Sequence, residues 1–406
     1  MDEKVDILIV GGGQAGLSLS YYLLQQKREH LVLEKADAAG EAWRNHRWDS
    51  FTLVTPNWGF CLPGAAYQDG NPHGFMPKNE IVRHFEDYAE QFHIPVRYST
   101  IVTAVEREQA GTGFLVRTEG KHYRARSVVI ATGLFQQGKI PAFAAQIPSE
   151  VAQLHSGDYR NPESLPPGAV LVVGAAQSGA QIAEELYQNG RKVYLCTGSA
   201  IRMPRRYRGR DIYEWAHLTG FLDRTLDQLP SPAARFAGNP GLTGKDGGHT
   251  LNLHQFFRDG VTLLGHLRGV QDGKLLLAPD LKENLAKVDQ GEASFLRMVD
   301  EHILKHGIDA PEDSSEGLQD GFAAPEILTL DLKSAGIGTI IWACGYTFDY
   351  EMVKLPVTDD FGFPLSQHGE TPVPGLYFLG MPWIPSQKTG LLLGIGEAAE
   401  HLAEII

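Results

Sequence analysis

The chain has 406 residues, 43% of them hydrophobic and 21% charged, and a formal net charge of −13. This composition fits a soluble globular protein of two or three domains and excludes a general nucleic-acid binder, which needs a basic face for phosphates. Three scattered cysteines, Cys61, Cys196 and Cys344, with no CxxC spacing, exclude a redox dithiol motif and argue against a zinc cluster, so no metal site is expected.

In chain order, Val5–Val10 is a continuous apolar run, the pattern of a parallel strand buried on both faces. "GGGQAG" follows, and apolar spacing through Leu17, Tyr21 and Leu24 predicts a helix from about Gln14 to Gln26. "HLVLE" is a second strand, ending at Glu34. Residues 40–78, rich in Trp, Gly, Pro and Asn, read as loops over a cofactor. "KNEIVRHFEDYAEQF" is an amphipathic helix. Several strands occupy 95–131, with a turn at "AGTG" and an end at "SVVIATG". The polar, Pro-rich "YRNPESLPPG" predicts a domain boundary near 160–168. A second strand–turn–helix begins at Ala169. Residues 200–325 are mixed and give no clear pattern. "GTIIWACGY" and "GLYFLG" are late strands, and a helix from Gly394 to Ile405 closes the chain.

The first motif is the more regular. Gly11 permits the tight turn, Gly13 lets backbone approach a pyrophosphate, and Gly16 permits close helix–strand packing. The helix start at Gln14 and Ala15 offers free N–H groups and a partial positive charge to phosphates. Glu34, at the end of the next strand, is placed to accept from ribose hydroxyls. In the second motif, "GAAQSG", Gly174 and Gly179 keep the turn and packing roles, Gln177 and Ser178 open the helix, and Ala176 replaces the middle glycine. The following strand, "RKVYLCTGS", ends without an acid. Thr197 and Ser199 supply hydroxyls, and Arg202, Arg205, Arg206 and Arg208 come next. That pattern favours the 2′-phosphate of NADPH over NADH, with NADH left open.

Taken together, these motifs resemble the flavin-containing monooxygenase family over nearly the whole length. The residues that carry the likeness are "GGGQAG" with Glu34, "AGEAWRN", "IATG" at 130–133, "LHSGDYRNP" at 154–162, "GAAQSG" and "IIWACGY" at 340–346. The resemblance implies an α/β fold of two nested Rossmann-like dinucleotide-binding domains. A discontinuous FAD domain, 1–165 and 330–406, would hold an inserted NAD(P)H domain, 166–329. It implies FAD on the first loop and NADPH on the second. Lys35, Trp43, Arg44, Val102, Ala131, Thr132, Gly133, Gly345, Gly380, Met381, Gln387 and Leu391 would also lie at the cofactors. Glu41 stands where the family has a glycine, and Cys344 replaces its usual threonine. The family's histidine-containing fingerprint is matched in part, by His155, Ser156 and Tyr159, with Ser149 and Val151 departing from it.

The implied reaction is oxygen transfer. NADPH reduces FAD, O2 adds to the flavin as a C4a hydroperoxide, and one oxygen passes to a small amine or sulfide. Asn57 would steady the peroxide. An NAD(P)H–flavin oxidoreductase or oxidase without oxygen transfer, and a flavin redox sensor without turnover, stay open. Partners are then a small-molecule substrate and O2, with no nucleic acid and no membrane. A homodimer is a fair prior. "MDEKVDILIV" enters a strand at once, the apolar stretches are short, and the C-terminus carries no lipidation pattern, so a cytoplasmic location is expected.

Overall fold

A computed structural model describes residues 2–108, 111, 113–198, 200–313 and 317–406. Ala110 and Thr112 of the "AGTG" turn lie outside the described residues, as does Ser199.

Two sheets organise the chain. The strands are β1 (Glu3–Val10), β2 (His30–Leu33), β3 (Val96–Arg97), β4 (Val102–Arg107), β5 (Phe114–Thr118), β6 (His122–Ile130), β7 (Ala152–His155), β8 (Ala169–Val173), β9 (Val193–Cys196), β10 (Thr262–Leu264), β11 (Ile337–Trp342) and β12 (Leu376–Phe378). The main helices are α1 (Gln14–Gln25), α2 (Lys78–Gln91), α3 (Gln177–Gln188), α4 (Leu281–His306) and α5 (Ile395–Ile405). The first sheet runs β3-β2-β1-β6-β5-β4. Strand β1 lies parallel between β2 and β6, which explains its unbroken apolar run: Ile7 to Val10 are buried on both faces. Strands β4 and β5 form an antiparallel extension. Strand β12 takes the edge of β6 from Val128 to Ile130, beyond where β5 has left it at Ala125. The second sheet, β7-β11-β8-β9-β10, is parallel throughout.

This arrangement corrects one sequence expectation. "GTIIWACGY" was expected to help complete the first domain, but its strand β11 inserts between β7 and β8 of the second sheet. Its run Ile340-Ile341-Trp342 is fully buried, as an interior strand of a parallel sheet requires. Strand β7, within the expected first segment, is likewise in the second sheet. Of the late strands, only β12 joins the first.

The unread stretch 200–325 holds short helices, an antiparallel pair at 267–277 that also pairs with Thr329–Asp331, and α4. Leu281, Leu285, Val288, Phe295, Val299 and Ile303 line the buried face of α4. Helices α1 and α5 cover one face of the first sheet through Leu17, Leu23, Ala399 and Leu402. Phe114, Tyr350 and Val353 lie in the core on its other side.

Candidate cofactor-binding site

The two glycine turns are built alike. Gly11 has φ 109° and Gly174 φ 108°, left-handed values that favour glycine. A Cβ on Gly11 would collide with the carbonyl of Ala131, and one on Gly174 with the carbonyl of Ala343. A Cβ on Gly16 would strike the carbonyl of Gly11, and one on Gly179 the carbonyl of Gly174. The flanking bonds repeat too. Gly11 donates to Leu33 (2.8 Å) and Ala131 to Val10 (2.8 Å); Gly174 donates to Cys196 (3.1 Å) and Ala343 to Val173 (2.9 Å). Thus "IATG" and "WACG" occupy equivalent places, each beside a turn at the carboxyl edge of its sheet, where such sheets bind ligands.

The middle positions differ only by a methyl group. Gly13 precedes α1 with φ −82°, ψ −168°, and Ala176 precedes α3 with φ −73°, ψ −177°. Both are extended, so Ala176 carries no backbone strain. A Cβ on Gly13 would meet no protein atom within 4 Å, so packing alone does not demand glycine there. The same is true at Gly133 and Gly345, on the two neighbouring segments. Uncapped helix N-termini behind open space fit a pyrophosphate at each turn. The second turn is the more crowded. Gln177 Nε2 donates to the carbonyl of Pro240 (3.3 Å), and a Cβ placed on Gly238 would stand 2.9 Å from that of Ala176.

Glu34 is buried and aimed. Its carboxylate accepts from the amides of Gly12 (2.6 Å) and Ala36 (2.9 Å), each oxygen retaining acceptor capacity for a ribose hydroxyl. Thr197, its counterpart, donates to Leu264 (2.9 Å) and accepts from Asn284 (3.3 Å). The arginines are committed elsewhere. Buried Arg202 pairs with Asp289 (2.8 Å) and Glu292; buried Arg205 pairs with Asp211 (2.7 Å) and donates to the carbonyl of Val54 (2.7 Å). Arg206 donates to the carbonyls of Gly247 and Gly248, and Arg208 pairs with Asp300 (2.7 Å). The cluster read as a phosphate grip is spent on intramolecular bonds, because the intervening chain brings carboxylates and carbonyls against it.

The remaining expected residues fall in three groups. Ala131, Thr132, Gly133 and Gly345 flank the turns; Thr132 Oγ1 accepts from Gln136 (3.0 Å). The C-terminal segment meets the first turn directly. Gln14 Nε2 donates to the carbonyl of Gly390 (3.0 Å), and Gly380, at φ 86°, has no room for a Cβ beside Ala15. Met381 is buried and accepts from the Tyr350 hydroxyl (3.3 Å), while Leu391 packs with the cluster around Trp215. Gln387 Oε1 accepts from Arg224 (2.9 Å), a partner 163 residues away in the chain. Lys35 is exposed just past Glu34, and Val102 begins β4.

Others are turned to structural tasks. Arg44 donates to the carbonyl of Ala39 (2.9 Å) and pairs with Glu86 (2.7 Å) on α2, away from a cofactor role. Trp43 packs on Phe51, ring centroids 5.9 Å apart. Asn57 is buried; its Oδ1 accepts from Met76 N (2.7 Å) and its Nδ2 donates to Asn71 O (3.0 Å), so its carboxamide closes the 71–76 loop. His155 ties the two connecting segments. Its Nδ1 accepts from Gly157 N (3.1 Å), which leaves Nε2–H to donate to the carbonyl of Gly345 (3.0 Å), and burial holds its pKa low. Tyr159 donates to Glu185 (2.7 Å). The thiol of Cys344 faces the carbonyl of Val173, and burial pushes its pKa up, the opposite of an activated nucleophile.

Comparison with known proteins agrees with this geometry. The family described as pyridine nucleotide-disulphide oxidoreductase matches residues 8–208, which span both turns. An uncharacterized CzcO-like oxidoreductase from Geobacillus kaustophilus is 34% identical over 404 residues, covering 99% of this chain and 98% of that one. The chain belongs to the CzcO-like oxidoreductases. CzcO of Bacillus subtilis, another uncharacterized oxidoreductase, is 30% identical over 98% of each chain. A flavin-containing monooxygenase from Stenotrophomonas maltophilia shares the fold, with a TM-score of 0.66 over 100% of this chain and 98% of that one at 18% identity. As a member, this CzcO-like protein is an oxidoreductase. No described helix is long and apolar enough to cross a membrane, and no described acidic, His or Cys group could hold a metal.

Proposed function

We propose that this CzcO-like protein is a flavin monooxygenase that takes FAD at Gly11–Gly16 and NADPH at Gly174–Gly179 and passes one oxygen of O2 to a small amine or sulfide. The observation that carries the reading is the repeated cradle: two turns of equal geometry, each at the carboxyl edge of a parallel sheet. The nested organisation follows from it. The first unit is expected to include β1–β6 and β12 with α1 and α5; the second is inserted, and the sheets support boundaries inside 134–151 and after Trp342 rather than at 165 and 330.

When bound, the flavin supplies hydride acceptance and oxygen activation. The chain's own residues bind and orient. Gly12 and Ala36 amides aim Glu34 at the adenosine ribose. The start of α1 would hold the FAD pyrophosphate, and that of α3 the NADPH pyrophosphate. His155, neutral and bonded to Gly345, fixes the spacing of the two connecting segments. The choice of NADPH is supported by the absence of a carboxylate at Thr197–Gly198 rather than by the arginines.

Asn57 supports a second reading. With Oδ1 and one of its two Nδ2–H groups bonded to the loop, its carboxamide is held in a loop-closing role with a single N–H left over, which favours an NAD(P)H oxidase that releases H2O2. One experiment separates the readings. With FAD-loaded protein, NADPH should bleach the flavin anaerobically. In air with a thioether or tertiary amine, oxygenated product should match NADPH consumed. H2O2 in that ratio instead, whatever the substrate, selects the oxidase; no bleaching rejects both.

A further inference from the structure

Among the described residues, two guanidiniums each lie over three aromatic rings, and one of the two also pairs with an anion. Arg235 lies over Phe236 (4.8 Å), Phe361 (5.4 Å) and Phe363 (4.4 Å) and pairs with Asp359. Arg47 lies 4.8 Å from the Phe135 ring and 5.4 Å from those of Trp43 and Phe51, and the Tyr346 hydroxyl also bonds it. Its Nη1 donates to the carbonyl of His46 (2.7 Å). Among the described residues no carboxylate forms an ion pair with it. Glu41 faces His46, and Asp49 pairs with Lys78. Asp158 acts on Tyr346 and His46 through space only. Arg224, which also forms no ion pair among the described residues, lies over two rings, Phe221 and Trp383, and donates to Gln387 Oε1 and the Phe221 carbonyl.

The position matters as much as the missing partner. Phe135 follows Gly133 on one connecting segment, and Tyr346 follows Gly345 on the other. The two rings meet edge to face at 5.1 Å, and Tyr346 meets His155 at 4.7 Å. The cage therefore sits where the chain passes between the two sheets, and the Phe135 ring is 44% exposed at its rim. A guanidinium among rings has lost much of its hydration, and burial lowers the Arg47 pKa. Its free N–H donors form the planar fork that matches a carboxylate bidentately. A phosphate dianion fits less well: Tyr346 is the one other donor at hand, and Asp158 adds repulsion.

We propose that Arg47 is a substrate-recognition residue that binds the carboxylate of an organic acid whose apolar part lies on Phe135. This names a substrate class for the site and rests on the monooxygenase reading for what happens to that substrate.

The test needs only oxidised, FAD-loaded protein. Phenylacetate and phenylacetamide are titrated separately against the flavin difference spectrum. The acid should bind about tenfold or more tightly than its amide, the size of one charge-assisted contact. Arg47→Gln should erase that preference while leaving the amide affinity and FAD content unchanged. Arg47→Lys, which keeps the charge and loses the fork, should retain part of it, and serves if the glutamine variant fails to hold FAD. Equal binding of acid and amide by the wild type, or a preference that survives Arg47→Gln, overturns the proposal. So does an Arg47→Gln variant whose only change is a raised KM for NADPH, which would give the anion to the dinucleotide. Acid-selective binding by a protein that NADPH does not bleach would sink the monooxygenase reading and leave this one standing.

Discussion

Ala176 is the residue at which the two turns diverge, and its backbone decides how much that matters. Gly13 and Ala176 share an extended conformation, so neither position needs glycine for its dihedrals. Ala176→Gly is therefore expected to leave the NADPH KM almost unchanged. Gly13→Ala should weaken FAD by about tenfold or more, because its new methyl group enters open space rather than packing on protein. Reconstitution with FAD and NADPH steady-state kinetics check the pair; a large gain from Ala176→Gly would show that its methyl group crowds the second nucleotide. Arg202 makes the opposite point. Its basic character was legible in the sequence, but its partners Asp289 and Glu292 are almost ninety residues away on α4. Removing it takes the arginine from Glu292 and leaves Asp289 with His254. Arg202→Ala should cost about 3–5 kcal/mol of stability, seen as a lower Tm, with the NADPH-to-NADH preference unmoved. A selective rise in the NADPH KM would restore the phosphate-gripping role.

Helix α3 shows what one element does for its neighbours. Its start faces the second cradle, and its flank binds three other parts of the chain. Gln181 donates to the carbonyl of Leu242 (2.7 Å), Glu184 meets His249 (2.8 Å), and Glu185 accepts from Ser50 (2.6 Å) and Tyr159 (2.7 Å). Its apolar periodicity could be read from sequence, whereas the contacts to Leu242 and His249 depend on how the 200–325 stretch folds back. That stretch was opaque because it is made of short turns and two-residue strands with little periodicity. Helix α4 within it carries a regular apolar spacing, from Leu281 and Leu285 to Val299 and Ile303. The Glu184–His249 contact also sets a pH dependence. The carboxylate raises the His249 pKa above its ordinary 6.5. A raised histidine contributes stability that is complete below the unfolded value and is lost as pH rises through the folded one. Wild-type Tm should therefore fall, as pH rises above about 6.5, by more than that of His249→Gln. Parallel curves for the two proteins would remove His249 from the account. Because His249 is partly exposed, salt should shrink the difference.

At the scale of the whole molecule, the chain begins and ends on the same sheet. The order of motifs already implied this nesting, since a second cradle stands between the first and the closing helix. What the motifs could not say was which late strand returns. "IIWACGY" and "YFLG" are similar apolar runs, and only pairing tells that β11 stays with the second sheet while β12 crosses back. The return is small in length and large in consequence. Leu376, Tyr377 and Phe378 pair with Val128, Val129 and Ile130, directly before the Ala131–Gly133 segment that backs the first turn. Past them, Gly380 packs on Ala15, Gly390 accepts from Gln14, and Ala403 accepts from Arg28. Helix α1, which presents the first cradle, is thus held from its far side by the last residues of the chain. A chain ending at Thr371 lacks these contacts and leaves the edge of β6 unpaired, an exposed apolar strand prone to association. It should purify without FAD and partly aggregated. Supplying residues 372–406 as a separate peptide should restore measurable flavin binding, because the missing groups belong to one contiguous segment. Stable FAD binding by the shortened chain alone would show that the first sheet and its cradle form without their closing strand.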